Sequence, residues 1–193
     1  MPRRRHVLIG LGAAGAASGL GLLAFERDGR IVSRTPAQAR ADSFAYSTLT
    51  DEEVVTLEAL GELLAPGARE AGIAPFVDHH LSKPAADSLL MIRYLDVPAP
   101  YTDFYRAGLH ALDDLARRRG DRPFAGLPTS AAAGLVRELS APGPEPRGWA
   151  GPPGSLFYFA IRADAVDVVY GIEGGFAALG LPYQAHLLPE RSW

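Results

Sequence analysis

The stretch PYTDFYRAGLHALDDLARRR, residues 100–119, decides the fold class of this 193-residue chain. Its apolar residues recur every three or four positions, which is the spacing of one face of an α-helix. They are Tyr101, Phe104, Tyr105, Leu109, Leu112 and Leu115. On the other side acidic residues precede arginines by four positions, so that opposite charges lie side by side on a helix. We predict a long amphipathic helix that Gly120 caps.

Helical periodicity continues through most of the chain after Asp42, where strand signals are few. Thr50 and Glu53 have the spacing of a capping box, in which each side chain satisfies a backbone N–H group at a helix start. Proline and glycine divide the remainder into further helices. These helices are predicted to begin at Thr50, near Pro75, at Thr129 or Ser130 as a capping residue, and at Ser155.

The last long helix differs from the others because its apolar residues lie on more than one side. Such a helix is either central in its own domain or covered by a partner. A segment rich in proline and glycine precedes it at residues 141–154, and a tail rich in glycine, proline and aromatic residues follows at residues 170–193. We predict a loop for the first segment and an extended, packed chain for the second.

These patterns predict an all-α protein. Residues 42–193 are expected to form a small irregular helical bundle with an extended C-terminal tail, and residues 1–41 an N-terminal export signal or anchor helix with a linker. The chain has no cysteine, which excludes disulfides, iron–sulfur clusters and covalent haem attachment through a Cys-x-x-Cys-His motif. A redox cofactor would have to be held in another way or by a partner.

Positive charge is concentrated at the N-terminus. Residues 1–41 contain seven arginines against Glu26 and Asp28, although the whole chain has a net charge of −3. Residues 42–193 are therefore acidic and lack the basic face that nucleic-acid binding requires. We predict no nucleic-acid partner.

The first forty residues have the order of an export signal: a basic start, an uncharged stretch and a site of small residues. The uncharged stretch covers residues 7–25, and the small residues are Ala37-Gln38-Ala39 and Ala39-Arg40-Ala41. The stretch is long enough to remain as an anchor in the inner membrane. A periplasmic or otherwise extracytoplasmic location follows from this interpretation.

Arg4 and Arg5, followed by His6, Val7 and Leu8, resemble the twin-arginine signature. Five glycines make the following stretch weakly hydrophobic, which is usual for such signals. The twin-arginine translocase moves proteins that are already folded, and it often serves cofactor-loaded proteins and their companions.

A second interpretation uses the same region, because residues 10–15 match the G-x-G-x-x-G loop of a dinucleotide-binding fold. In that fold the glycines bring a pyrophosphate onto a helix N-terminus. The acidic residue expected about 20 residues later is missing, since residues 29–34 end in arginine, and no strand–helix alternation follows. The export signal is the favoured interpretation.

Asp78, His79 and His80 form the one cluster of candidate metal ligands in the sequence. Adjacent helical residues point about 100° apart, so the two imidazoles do not easily bind one metal ion. The favoured interpretation places one histidine on the helix surface and one beside the core. An extracytoplasmic metal-dependent enzyme that uses these three residues stays as the alternative function.

Other candidates for catalysis are weaker. Asp164 and Asp167 are three residues apart and could form an acid–base pair, but a solvated helix face is the favoured interpretation. No G-x-S-x-G motif accompanies the serines. Structural or exposed positions are expected for Ser88, Ser130, Ser155, His110 and His186. We assign no catalytic, cofactor-binding or metal-binding residue to the chain.

Several ordered segments carry a family signature: residues 49–60, 63–73, 76–78, 105–113, 124–128 and 167–182. Together they resemble the gluconate 2-dehydrogenase subunit 3 family over residues 48–182. The family usually has a D-P-x-Y-G-G-N run where this chain has DVVYGIE at residues 167–173, and Tyr183 stands where a glycine often follows the proline.

The resemblance implies a small accessory subunit of an exported, membrane-associated sugar or polyol dehydrogenase. In such complexes the large subunit carries FAD and oxidises an alcohol, and a multihaem cytochrome c often takes the electrons. The small subunit is not expected to be catalytic alone. It would assist maturation of the flavoprotein and supply the signal for the twin-arginine translocase, with FAD and haem held by partners and no cofactor in this chain.

We expect the last helix and the tail to bind the FAD subunit, because aromatic and large apolar side chains dominate such anchors. The expected contact residues are Tyr170, Phe176, Leu181 and Tyr183. Phe157 and Phe159 are instead assigned to the core of the protein itself.

Overall fold

The computed structural model describes residues 22–27 and 29–181, which form a mostly helical domain. An antiparallel hairpin of β1 (Leu23–Arg27) and β2 (Arg30–Arg34) comes first. The helices are α1 (Pro36–Ala41), α2 (Asp51–Leu64), α3 (Ala68–Ala71), α4 (Ile73–Leu81), α5 (Thr102–Gly120), α6 (Thr129–Ser140), α7 (Gly154–Tyr170) and α8 (Glu173–Ala178). Short 3₁₀ turns lie at Ala85–Asp87, Met91–Tyr94 and Phe124–Gly126. The predicted all-α class is confirmed, with one small hairpin added.

Helix α7 lies at the centre of the domain and contacts α2, α3, α4, α5 and α6. Its inner side enters the hydrophobic core through Phe157, Ala160, Ile161, Ala165 and Val168. Helix α5 approaches it closely at Gly108, where a Cβ atom would lie 2.2 Å from the ring of Phe157. Glycine leaves the room that this ring occupies, so α5 and α7 can pack against each other.

The ends of α2 and α5 follow the sequence signals with one difference. Thr50 Oγ1 accepts a hydrogen bond from Glu53 N at 3.3 Å, and Glu53 Oε2 accepts one from Thr50 N at 2.8 Å, which confirms the capping box. At the end of α5, Gly120 is still helical. Asp121 adopts the left-handed conformation that ends the helix, with φ +55°. The predicted cap is therefore one residue too early.

Two helix starts differ from their predicted positions by one or two residues. Helix α4 begins at Ile73 rather than near Pro75, because Gly72 takes φ +86° and lets the chain turn directly from α3 into α4. Helix α7 begins at Gly154 rather than at Ser155. Helix α6 begins at Thr129, as predicted, but no side chain caps it, so the expected capping role of Thr129 or Ser130 is wrong.

The folded domain begins earlier than the predicted boundary at residue 42. Leu23 of β1 belongs to the hydrophobic core, and α1 contacts α4. Residues 23–41, expected to be the end of an anchor and a linker, are therefore part of the domain.

The remaining N-terminal predictions concern residues that the structure does not describe. Arg4, Arg5 and the G-x-G-x-x-G letters at residues 10–15 lie outside the described residues. Residues 30–34 cover the position where the nucleotide-binding interpretation requires an acidic residue. They pair antiparallel with residues 23–27. Among the helices in the described part of the chain, none is long and apolar enough to cross a membrane.

Part of the C-terminal tail is helical, which corrects the expected extended chain. Residues 173–178 form α8, and α8 contacts α7. A Cβ atom at Gly175 would lie 2.4 Å from the carbonyl oxygen of Val169, so glycine permits this close contact. Residues 182–193 lie outside the described residues.

The substitution Gly108→Ala is expected to destabilise the domain, because the new methyl group would collide with the Phe157 ring. Overpacking of this kind costs about 1–3 kcal/mol. Gly134→Ala is the matched control, since Gly134 also lies inside a helix but a Cβ atom there meets nothing within 4 Å. We expect that control to stabilise by up to about 1 kcal/mol. Urea unfolding measures both changes, and equal effects would contradict the close approach of α5 to α7.

Candidate functional site

The outer side of α7 carries large apolar side chains that are exposed. Phe159 is 45% exposed and Val166 is 36% exposed. They lie seven residues apart, with the exposed Arg162 between them, so all three project from the same side of the helix. The helix that fills the core with one side therefore leaves two large apolar side chains uncovered on the other, on either side of Arg162.

The chain that follows α7 adds further exposed apolar side chains. Ile172 precedes α8, and Leu179 and Leu181 follow it. Leu179 is 55% exposed and Leu181 is 53% exposed. These three residues flank α8, and α8 contacts α7. We call Phe159, Val166, Ile172, Leu179 and Leu181 the C-terminal apolar face.

The predicted contact residues occupy different positions relative to this face. Leu181 belongs to it. Tyr170 and Phe176 are half-buried at the end of α7 and in α8. Tyr183 lies outside the described residues.

The two phenylalanines assigned to the core, Phe157 and Phe159, differ in how deeply the structure buries them. Phe157 is fully buried, which confirms its assignment. The assignment of Phe159 is wrong, because nearly half of its side chain is exposed. Because α7 has apolar residues on more than one side, periodicity could not distinguish its inner side from its outer side.

A buried carboxyl group fixes α7 to its neighbours. Asp164 is fully buried. Its Oδ2 accepts a hydrogen bond from Tyr105 Oη at 2.5 Å, and its Oδ1 accepts one from Met91 N at 3.0 Å. Burial raises the pKa of Asp164 to about 7, although both hydrogen bonds act in the opposite direction. The group therefore joins α7 to α5 and to a 3₁₀ turn.

We expected Asp164 and Asp167 to lie on a solvated helix face. For Asp164 this expectation is wrong, because its side chain is fully buried. Asp167 is half-buried, and burial raises the pKa of its carboxyl group as well. Because the Asp164 side chain is enclosed and bonded to Tyr105, the two carboxyl groups do not form an exposed acid–base pair.

Asp78, the first residue of the metal-site hypothesis, has a structural role. Its Oδ1 accepts hydrogen bonds from Thr48 N and Leu49 N, each at 2.8 Å. Its Oδ2 accepts one from Ser47 N at 2.9 Å and one from Ser47 Oγ at 3.1 Å. The carboxylate thus holds the segment before α2, and within residues 22–27 and 29–181 no group of three or more histidine, aspartate or glutamate side chains could hold a metal ion.

His79 and His80 are both buried, which corrects the expectation that one lies on the surface. Their rings meet edge to face with centroids 5.3 Å apart, and Phe25 of β1 lies 5.5 Å from the His79 ring. Burial lowers the pKa of His79 to about 4 and that of His80 to about 3. His80 Nδ1 accepts a hydrogen bond from Leu89 N at 3.3 Å. Both rings are therefore neutral at neutral pH and pack as aromatic residues.

A polar cleft of about 270 Å³ lies between α2 and α5. At its edge the buried Glu53 Oε1 lies 3.0 Å from His110 Nε2 and 3.3 Å from Arg106 Nε. The sequence indicated Glu53 only as a helix cap, and both contacts were missed because the partners are far apart in the chain. The other lining residues are Glu52, Thr56, Leu109, Asp113, Asp114 and Arg117.

The remaining serine and histidine candidates do not come together. Ser88 is buried, and its Oγ accepts a hydrogen bond from Leu90 N at 3.4 Å. Ser130 and Ser155 are exposed in the first turns of α6 and α7, and His186 lies outside the described residues.

The described residues define a helical domain with one exposed apolar face and with buried carboxyl groups that are bonded inside the fold. The chain matches the model of the family described as gluconate 2-dehydrogenase subunit 3 over residues 51–186. That match spans well over half of the chain, so the protein belongs to this family and is a subunit of a dehydrogenase complex. Neither the curated proteins nor the solved structures contain a match.

The pKa of Asp164 leads to a pH-dependent stability. Its pKa of about 7 in the folded protein lies above the ordinary aspartate value of 3.8, so the folded protein keeps a proton that the unfolded chain releases. The resulting stability is fully present below about pH 4 and is lost as the pH rises through about 7. Asp164→Asn mimics the protonated form and should remove this dependence.

Urea unfolding at pH 4 to 8 tests this effect as the difference between the wild type and the variant. The wild type should lose stability relative to Asp164→Asn as the pH rises, by at most about 4 kcal/mol. Gly134→Ala, which changes no titratable group, should show no such trend. A constant difference between the wild type and Asp164→Asn would rule out a raised pKa.

Proposed function

We propose that this protein is the noncatalytic small subunit of an exported FAD-dependent sugar or polyol dehydrogenase of the gluconate type. It binds the flavoprotein that oxidises the alcohol, assists its maturation and carries the twin-arginine signal for both chains. A cytochrome c subunit with haem takes the electrons. FAD and haem belong to these partners, and membership of the family supports this assignment.

The observation that carries the proposal is the C-terminal apolar face. Phe159 and Val166 project from the helix that organises the whole core, so a partner bound there rests on a rigid support. Exposed apolar side chains grouped on one face are typical of protein–protein contacts. A phenylalanine at such a position can bury a large area at small entropic cost, which suits an interface anchor.

The leader supports the export part of the proposal. Arg4 and Arg5 resemble the twin-arginine signature, and that route accepts folded cargo. A flavoprotein must fold around FAD before export. A small subunit that binds the folded flavoprotein can therefore lead it through the translocase.

The metal-dependent alternative receives no support from the position of its residues. Asp78 accepts four hydrogen bonds from the segment at residues 47–49. His79 and His80 are enclosed by aromatic neighbours.

The double substitution Phe159→Asp and Val166→Asp tests the interface. We expect it to weaken co-purification with the FAD subunit by at least about 30-fold, because the loss of an interface anchor costs about 2 kcal/mol or more. Both side chains are partly exposed, so the fold should remain intact. The measurement is capture of the FAD subunit, with FAD absorbance and the melting temperature recorded alongside.

Val55→Asp is the matched control, because Val55 is also an exposed apolar residue, on α2. It should leave the capture of the FAD subunit unchanged. Full capture by the double variant would exclude the C-terminal apolar face as the binding surface.

Substitution of Arg4 and Arg5 by lysine tests the export role. We expect this chain and the FAD subunit to stay together in the cytoplasm, because the translocase reads the arginine pair. Cell fractionation with immunoblotting of both subunits is the measurement. Arg3→Lys should leave export intact, and normal export of the FAD subunit beside a retained small subunit would show that the two do not travel together.

A further inference from the structure

The two small-residue sites where an export protease would cut lie inside helix α1. They are Ala37-Gln38-Ala39 and Ala39-Arg40-Ala41, and α1 covers Pro36–Ala41. Proteases cut exposed, poorly structured backbone, so burial and hydrogen bonding decide whether a site is accessible. Sequence order alone therefore does not identify a cleavage site here.

Hydrogen bonds hold the backbone of α1 at both of its ends. Thr35 and Gln38 form a capping box at its start, with Gln38 N donating to Thr35 Oγ1 at 3.1 Å and Thr35 N donating to Gln38 Oε1 at 3.0 Å. Phe44 N donates to the carbonyl oxygen of Ala39 at 3.2 Å. Ala39 itself is 1% exposed. The bond after Ala39 thus lies in a capped helix against the core. The bond after Ala41 lies at the exposed end of that helix, where Asp42 N donates to the carbonyl oxygen of Gln38 at 2.8 Å.

Contacts with other helices hold α1 in place. A Cβ atom at Gly72 would lie 2.3 Å from the carbonyl carbon of Pro36, so the two segments touch at their backbones. Arg40 Nε lies 2.8 Å from Glu58 Oε1 of α2, and Arg40 Nη1 lies 3.2 Å from Glu70 Oε1 of α3. Release of α1 would break this packing together with both ion pairs.

The hairpin before α1 is also part of the domain. Leu23 is buried in the core, and the Phe25 ring lies 4.8 Å from that of Phe44. Arg34 Nε donates to Asp42 Oδ2 at 2.8 Å, which ties the end of β2 to the end of α1. A cut after Ala39 would therefore remove a strand pair that contributes to the hydrophobic core.

We infer that residues 23–41 are a permanent part of the mature protein and that any removal of the leader takes place before Leu23. The inference rests on the proposed export route, in which the chain is folded when it meets the export protease. In a folded chain, α1 protects both small-residue sites.

Limited proteolysis of the purified full chain with pancreatic elastase, which cuts after small residues, tests the protection directly. Ala150 in the exposed loop between α6 and α7 is the internal reference. We expect cleavage after Ala150 to be at least about tenfold faster than cleavage after Ala37, Ala39 or Ala41, as mapped by mass spectrometry. Faster cleavage within α1 than at Ala150 would overturn the inference.

Two variants form a matched pair for this assay. Ala39→Asp places a charge at a buried position and should release α1, so that cleavage after Ala41 becomes at least about tenfold faster. Ala37→Asp introduces the same charge at an exposed position of the same helix and should leave that rate unchanged. Circular dichroism checks that both variants are folded, and equal rates in the two would show that burial of Ala39 does not protect the site.

The intact mass of the exported protein provides the second test. A mature N-terminus at or before Leu23 is expected, and a mature chain that starts after Leu23, for example at Arg40 or Asp42, would overturn the inference. A chain found only in the cytoplasm would instead refute the proposed export route. The elastase result decides the inference in that case as well.

Discussion

The packing of α7 against α5 is the contact on which the rest of the structure depends. Phe157 fills the space that the missing side chain of Gly108 leaves open, so the two longest helices approach each other closely. The hydrogen bond from Tyr105 to Asp164 secures the same pair of helices with a buried polar contact. The inner side of α7 is thus buried in the core. Its outer side carries the exposed Phe159 and Val166.

The buried carboxyl groups of the domain stabilise the fold, although two of them were candidates for metal binding or catalysis in the sequence. Asp78 secures the entry to α2, and Asp164 joins α7 to α5. Glu53 is a cap and also a partner of His110. Each of these carboxyl groups is buried and would be costly without its donors. Their arrangement therefore explains stability, and it leaves the apolar surface as the feature that a larger assembly can use.

Local signals predicted the helices well. Periodicity located α5, and the spacing of Thr50 and Glu53 located the start of α2. Proline and glycine marked the irregular segment before α7. Periodicity, capping residues and proline or glycine breaks each depend on residues within a few positions of one another. They can therefore be identified from a single sequence.

Features that depend on distant contacts were missed. The start of β1 lies in an apolar stretch that also suits a signal, and the burial of Leu23 depends on helices that come later in the chain. Asp164 was placed on the surface because its donors, Tyr105 and Met91, are far away in sequence. The exposure of Phe159 could not be predicted either, since α7 has apolar residues on more than one side and the packing of other helices decides which side is buried.

The register of the hairpin has a mechanical consequence. Leu23 pairs with Arg34, so the leader enters and the chain leaves toward α1 at the same end of the two strands. A pulling force on the leader would load the cross-strand hydrogen bonds one after another, beginning with this pair, rather than all at once. The two strands would therefore separate pair by pair from this end and could pair again when the tension ends. The capping box and the ion pair to Glu58 would hold α1 against the domain meanwhile.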